Sequence, residues 1–186
     1  MSAEAIGRLM PTIITLDDLA AMNEADDHGR RYETSAQGVL SVVPPPDGKH
    51  AKIATRLMSW LLRAGWPDDQ ILQVPGIRIP GAVGPAGRIP DLTVWSHEPG
   101  DAVWLDLDGL LLIIEIISPG SEATDRFTKV NEYAGAGIPL YWTVARDTAN
   151  TVTMYRLSNG SYQVTAEKPL SWLLQSDPHD HLPMEH

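Results

Sequence analysis

The stretch LLLIIEIISPG, Leu110 to Gly120, is a run of leucine and isoleucine interrupted by one carboxylate, Glu115. Unbroken aliphatics of this length predict a strand covered on both faces, ended by Pro119 and Gly120. Side chains alternate along a strand, so Leu111, Ile113, Glu115 and Ile117 share one side while Leu112, Ile114 and Ile116 take the other. Glu115 therefore stands among large aliphatics, where an unpaired carboxylate costs several kcal/mol. On this strand alone two explanations are equally open: the carboxylate reaches water or an arginine at the strand's end, or it serves a functional site.

Downstream, SEATDRFTKVNEYAGAG predicts a helix capped by Ser121 and closed at Gly135 or Gly137, followed by the strand LYWTVA. Strand, helix and strand in this order suggest an α/β unit. TVTMYRL and SYQVTAE, joined by SNGS, predict a C-terminal hairpin. In the helix, Asp125, Lys129 and Tyr133 lie at four-residue steps along one face, which also describes an ordinary surface ion pair. The apolar stripe expected there is Ala123, Phe127, Val130 and Ala134, with Lys129 pointing well away from its centre. Beyond the patch LSWLL comes a polar end where His179, His181 and His186 cluster; histidines in a polar tail are more often incidental than ligands.

Upstream, QILQVPGIRI and DLTVW predict two strands flanking a glycine- and proline-rich surface loop, PGAVGPAGRIP. Asp91 opens the second strand directly after a proline. Ile53, Leu57, Trp60, Leu61 and Ala64 recur at three- and four-residue steps, giving an amphipathic helix that stops at Gly65 and Pro67. RYETS and GVLSVV predict an N-terminal hairpin ended by Pro44 to Pro46. Thr15 and Asp18 form a capping box ahead of a first helix.

The chain has 186 residues, 43% of them hydrophobic, enough for one sizeable core. The expected organisation is a tail over 1–14, a single domain over 15–175 and a polar tail over 176–186. The absence of cysteine excludes disulfides, thiolate zinc sites and cysteine nucleophiles. No secretory signal and no apolar run of about 20 residues is visible, so a soluble cytoplasmic protein without a membrane span is expected. Asp and Glu total 24 against 14 Lys and Arg, a balance poorly suited to indiscriminate grip on phosphates. The best local basic surface for nucleic acid is GKHAKIATR, with Lys49, His50, Lys52 and Arg56, although taken alone the cluster is better explained as a solvated helix face. Asp91 and Glu115 converge if their strands are neighbours, and such hard oxygen ligands suit Mg²⁺.

RYE, GKH, IPD, EIISP, DRFTK, EYAGAGIP and LYW, in this order, resemble the Uma-two family of restriction-endonuclease-like proteins, a branch of the PD-(D/E)XK nucleases. The resemblance runs from about Thr15 to the C-terminal hairpin. It implies a mixed α/β (α+β) fold, a restriction-endonuclease-like mixed sheet flanked by helices, with Asp91 and Glu115 as the two acids that hold Mg²⁺ or Mn²⁺. The parent motif keeps a lysine two residues after the glutamate, where this chain has Ile117; relatives of this type supply it from the following helix, at the place of Lys129. Glu33 matches an acidic position that joins the metal shell, and Asp125 and Tyr133 match recurrent positions behind it. The implied activity is hydrolysis of phosphodiester bonds in nucleic acid, DNA foremost, with a homodimer for duplex cleavage. Two departures stand out: ETSAQG lacks the family's hairpin aspartate, and GSEATDR lacks its usual arginines. The alternatives are a nuclease fold that serves as a binding or interaction module, and a hydrolase of a small phosphorylated substrate.

Overall fold

A computed structural model of the protein describes residues 13–118 and 127–182. The capping box forms at the start of helix α1 (Leu16–Glu24): the Thr15 hydroxyl accepts the Asp18 N–H while the Asp18 carboxylate accepts the Thr15 N–H. Strands β1 (Arg31–Thr34) and β2 (Leu40–Val43) make the N-terminal hairpin, with Arg31 opposite Val43. Helix α2 (Gly48–Arg63) begins at Asp47, whose carboxylate accepts the Lys49 and His50 N–H groups, and it buries Ile53, Leu57, Trp60 and Leu61 as their spacing predicts.

The region expected as two strands around a surface loop is more ordered than that pattern suggests. It holds β3 (Ile71–Gln73), β4 (Ile77–Ile79), β5 (Ala86–Arg88) and β6 (Leu92–Trp95). Pro75 separates β3 from β4, and Val74 takes a positive φ of 49° at the break. β5 lies inside the stretch read as a surface loop, yet all of its residues are buried, and it pairs with β4. The glycine that signalled a turn serves close packing instead: a Cβ on Gly87 would lie 2.7 Å from the Trp104 ring and 2.8 Å from Leu19.

β7 (Leu110–Ile116) carries Glu115 through the middle of a six-stranded sheet that also holds β8 (Leu140–Val144), β9 (Thr151–Ser158) and β10 (Ser161–Pro169), in the order β10-β9-β8-β7-β6-β3. Its partners are β6, antiparallel, and β8, parallel. β9 and β10 complete the sheet as the expected hairpin; Asn159 and Gly160 both take positive φ, 51° and 77°, as a two-residue hairpin turn requires. Short helices α3 (Lys129–Gly135) and α4 (Leu170–Leu173) follow β7 and β10. The fold is thus a mixed sheet flanked by helices, as expected.

The faces of β7 divide as its alternation predicts from Leu112 onward; at the bulge opposite Val94 and Trp95 the alternation breaks, so Leu111 joins the cluster of Leu112 and Leu110 that of Ile113. Leu112, Ile114 and Ile116 pack with Leu57, Trp60 and Trp142, whereas Ile113 packs with Trp95, Tyr133 and Tyr141. Each fully buried aliphatic contributes about 1.5–3 kcal/mol.

The expected apolar stripe of the second-half helix holds only in part: Ala134 is buried and Val130 packs half-buried on the core, but the stripe does not include the most deeply set residues. Phe127 is 70% exposed, whereas Lys129 and Glu132 are buried and Tyr133 is wholly so. The face turned inward mixes Tyr133, packed on the core, and the buried Ala134 with Lys129 and Glu132, which meet groups of opposite charge, so an apolar wheel finds only part of it. Ser121, Ala123 and Asp125 lie outside the described residues.

Residues 176–182, expected within the polar tail, pack on the core. Trp60 Nε1 donates to the Ser176 carbonyl at 2.8 Å, and Pro178 and Leu182 are buried. His179 lies beside Trp66, and His181 beside Trp60, Trp142 and Trp172. No helix among the described residues is long and apolar enough to cross a membrane.

Candidate active site

Leu92 pairs with Ile114, so one step further Asp91 stands across from Glu115, and the two acids meet where β6 begins and β7 ends. Asp91 replaces the missing ladder bond there: its Oδ2 accepts the Ile116 N–H at 2.8 Å. Its Oδ1 faces Arg31 Nη2 at 3.3 Å and His50 Nε2 at 3.2 Å. Burial alone would raise the Asp91 pKa. The hydrogen bond and charge of His50, the Arg31 guanidinium and the Ile116 N–H outweigh it and hold the carboxyl below its ordinary value.

Glu115 has partners among its aliphatic neighbours. Its Oε1 accepts Lys129 Nζ at 2.8 Å and the Tyr133 hydroxyl at 2.9 Å, both delivered by α3. The cation is therefore a lysine from the crossover helix, not an arginine. Burial, then the Glu115 charge, pushes the Tyr133 hydroxyl well above its usual pKa, so it stays a proton donor.

Glu33, from β1, accepts the Ile89 N–H at 3.0 Å through Oε1, while Oε2 lies 3.3 Å from Arg88 Nη1 and 3.8 Å from Lys129 Nζ. Arg88 is fully buried and grips Glu132 Oε2 with Nε at 2.8 Å and Nη2 at 2.5 Å. Glu132 Oε1 in turn accepts the Ala36 N–H at 2.8 Å, tying α3 to the N-terminal hairpin. Removing one member of such a buried network strands the others without partners.

Sequence inspection missed Arg31, Arg88 and Glu132. Arg31 and Glu132 stand beside Glu33 and Tyr133 in the quoted RYE and EYAGAGIP fragments, so adjacency was their only signal. Arg88 had none, because its strand reads as a loop. The basic cluster divides. His50 turns into the site, Lys49 Nζ donates to the Arg146 carbonyl at 2.6 Å, and Lys52 and Arg56 stay exposed on α2. Arg31, Glu33, His50, Asp91, Glu115 and Lys129 line one cavity of about 560 Å³, walled by Val42, Pro44 to Pro46 and Arg146.

Among the described residues no group of three or more Asp, Glu or His side chains is placed to hold a metal ion. The paired carboxylates of Asp91 and Glu115 nevertheless suit an oxygen-preferring cation of the Mg²⁺ kind, which takes one or two carboxylates and completes its shell with water and phosphate oxygens. Asp91 Oδ2, with a single hydrogen bond from Ile116, keeps a lone pair free for it. Glu33 is less suited, since both of its oxygens already face donors of the chain.

A family model described as "Putative restriction endonuclease", Uma2, matches residues 16–180. The chain belongs to the Uma2 family. The resemblance noted from the short fragments is thereby borne out, and Uma2 membership supports a nuclease function. No curated protein matches this Uma2 chain. Among solved structures it is similar to the crystal structure of "a putative nuclease belonging to DUF820" from Anabaena variabilis ATCC 29413. The identity is 19%, the TM-score is 0.57, and the match covers 78% of this Uma2 chain and 82% of the other. At that identity the likeness shows the fold.

Proposed function

We propose that the protein is a metal-dependent nuclease that hydrolyses phosphodiester bonds of DNA at Asp91 and Glu115. The observation that carries this is the meeting, in one cavity, of two buried carboxylates from adjacent strands with Lys129 held 2.8 Å from one of them. Asp91 and Glu115 would hold Mg²⁺ or Mn²⁺, which when bound stabilises charge on the phosphate and makes water a better nucleophile.

The chain's own residues do the rest. Lys129 orients the attacking water and offsets negative charge at the phosphate; a preorganised donor of this kind is worth about 10²–10³ in rate. Tyr133 fixes Glu115 from the same side as Lys129. Arg31 and His50 orient Asp91, and Glu33 steadies Lys129 and Arg88.

A second reading has its own observation. Cations of the chain already face both acids, Arg31 and His50 at Asp91 and Lys129 at Glu115, and the net charge is −10. On that reading the protein is an interaction module on a nuclease fold. Incubation with plasmid and single-stranded DNA plus Mg²⁺ or Mn²⁺ separates the two. Cleavage is expected, falling at least about 100-fold in Asp91→Ala and Glu115→Ala. Undiminished cleavage by either variant would refute the site. No cleavage, together with no divalent-ion heat in calorimetry, selects the interaction module.

A further inference from the structure

The charged residues of the site are out of reach of a broad surface. Asp91 and Lys129 are each 5% exposed and Glu115 is 4% exposed, and all three face the cavity beneath the β1–β2 hairpin and Pro44 to Pro46. At about 560 Å³ that cavity falls in the range of pockets that enclose one small molecule, roughly 300–1,000 Å³, so it admits a nucleotide but not a double helix. Duplex DNA presents one negative charge per about 1.7 Å and is held by rows of lysine and arginine. Here the net charge is −10, and among the described residues the arginines on the cavity wall are Arg31 and Arg146. Acids this deeply set are reached more easily by the phosphate of a flexible single strand, which can bend into the recess, than by one fixed on the stiff wall of a double helix.

We infer that the site, taken as the nuclease centre proposed above, acts on an unpaired DNA strand or a frayed strand end rather than on intact duplex. Water adds to phosphorus, one P–O ester bond breaks, and the departing oxygen takes up a proton and leaves as an alcohol, so no further reactant is needed. The paired-subunit duplex cut expected from the resemblance is not required by this geometry.

The test compares three end-labelled substrates of one sequence in Mg²⁺ or Mn²⁺: a single strand, a blunt duplex, and a duplex with an internal unpaired bubble. Bending or fraying the paired substrate to bring a phosphate into the recess costs energy that a single strand does not pay, so the single strand and the bubble are expected to be cut at least about tenfold faster than the duplex. Asp91→Ala abolishes all three rates. Replacing Pro44, Pro45 and Pro46 by glycine or serine opens the cavity and is expected to narrow the ratio at least about threefold, a change that mere loss of stability would not produce. Equal cutting of duplex and single strand, still lost in Asp91→Ala, overturns the strand preference and leaves the nuclease standing. Absence of cutting on every substrate, with no binding of the single strand by fluorescence anisotropy, overturns both.

Discussion

Helices α2 and α3 flank the same sheet and both deliver side chains to the site, but they are built on opposite principles. α2 is 16 residues long, capped by Asp47, and buries an aliphatic and aromatic stripe, giving only His50 of its first turn to Asp91. α3 is 7 residues long, has no side-chain cap at Thr128, and buries Lys129 and Tyr133 against the Glu115 carboxylate and Glu132 against the Arg88 guanidinium. One helix is held by removal of apolar surface from water, the other by ion pairs and hydrogen bonds that are stable only as a complete set.

The contrast is broken most severely at Arg88. Arg88→Ala leaves Glu33 and Glu132 buried without their guanidinium, and a loss of about 3–5 kcal/mol is expected in urea denaturation. A loss below about 1 kcal/mol would mean that water enters the network freely. On the α2 side, Leu57→Ala removes a fully buried side chain and is expected to cost about 2–5 kcal/mol, while leaving the ratio of single-strand to duplex cleavage unchanged. The two helices then separate by readout: the apolar one moves stability alone.

The C-terminal packing on α2 tests pH. Burial lowers the His181 pKa below its ordinary 6.5, against the opposing pull of Asp180 and Asp177. A group whose folded value is depressed contributes fully above its unfolded value, and that contribution fades as pH falls below about 6.5. A change in Trp60 and Trp172 fluorescence is therefore expected on acidification below that point, and His181→Gln should remove it. The smallest effect is expected at Phe127→Ser, within about 0.5 kcal/mol of the parent, because Phe127 is 70% exposed. A loss of several kcal/mol there would restore the apolar stripe as the inner face of α3.

The same contrast explains what was legible in the sequence. The capping box, both hairpins, α2 and the doubly covered β7 follow from local chemistry and period, because each announces itself within a few residues. Asp91 and Glu115 were legible as acids out of place in β-rich runs. β5 was not, since Gly87 looks like a turn until Trp104 and Leu19 are seen beside it. The phase of α3 was not, because its buried face includes the charged Lys129 and Glu132, whose partners come from other elements. Arg88 and Glu132 belong to that class: their role depends on each other and on Glu33 and Ala36, far away in the chain.

That distance has a consequence for how the protein is made. Glu33 lies 55 residues from Arg88, Arg31 lies 60 from Asp91, and Ala36 lies 96 from Glu132. On a ribosome adding about 5–20 residues per second, the N-terminal hairpin waits about 5–20 s after its own synthesis before Glu132 appears. Closure of such long loops precedes any gain from the contacts they make. The cavity that gathers Asp91, Glu115 and Lys129 is thus a late event in biogenesis, and a nascent chain released before α3 carries the two acids without their lysine.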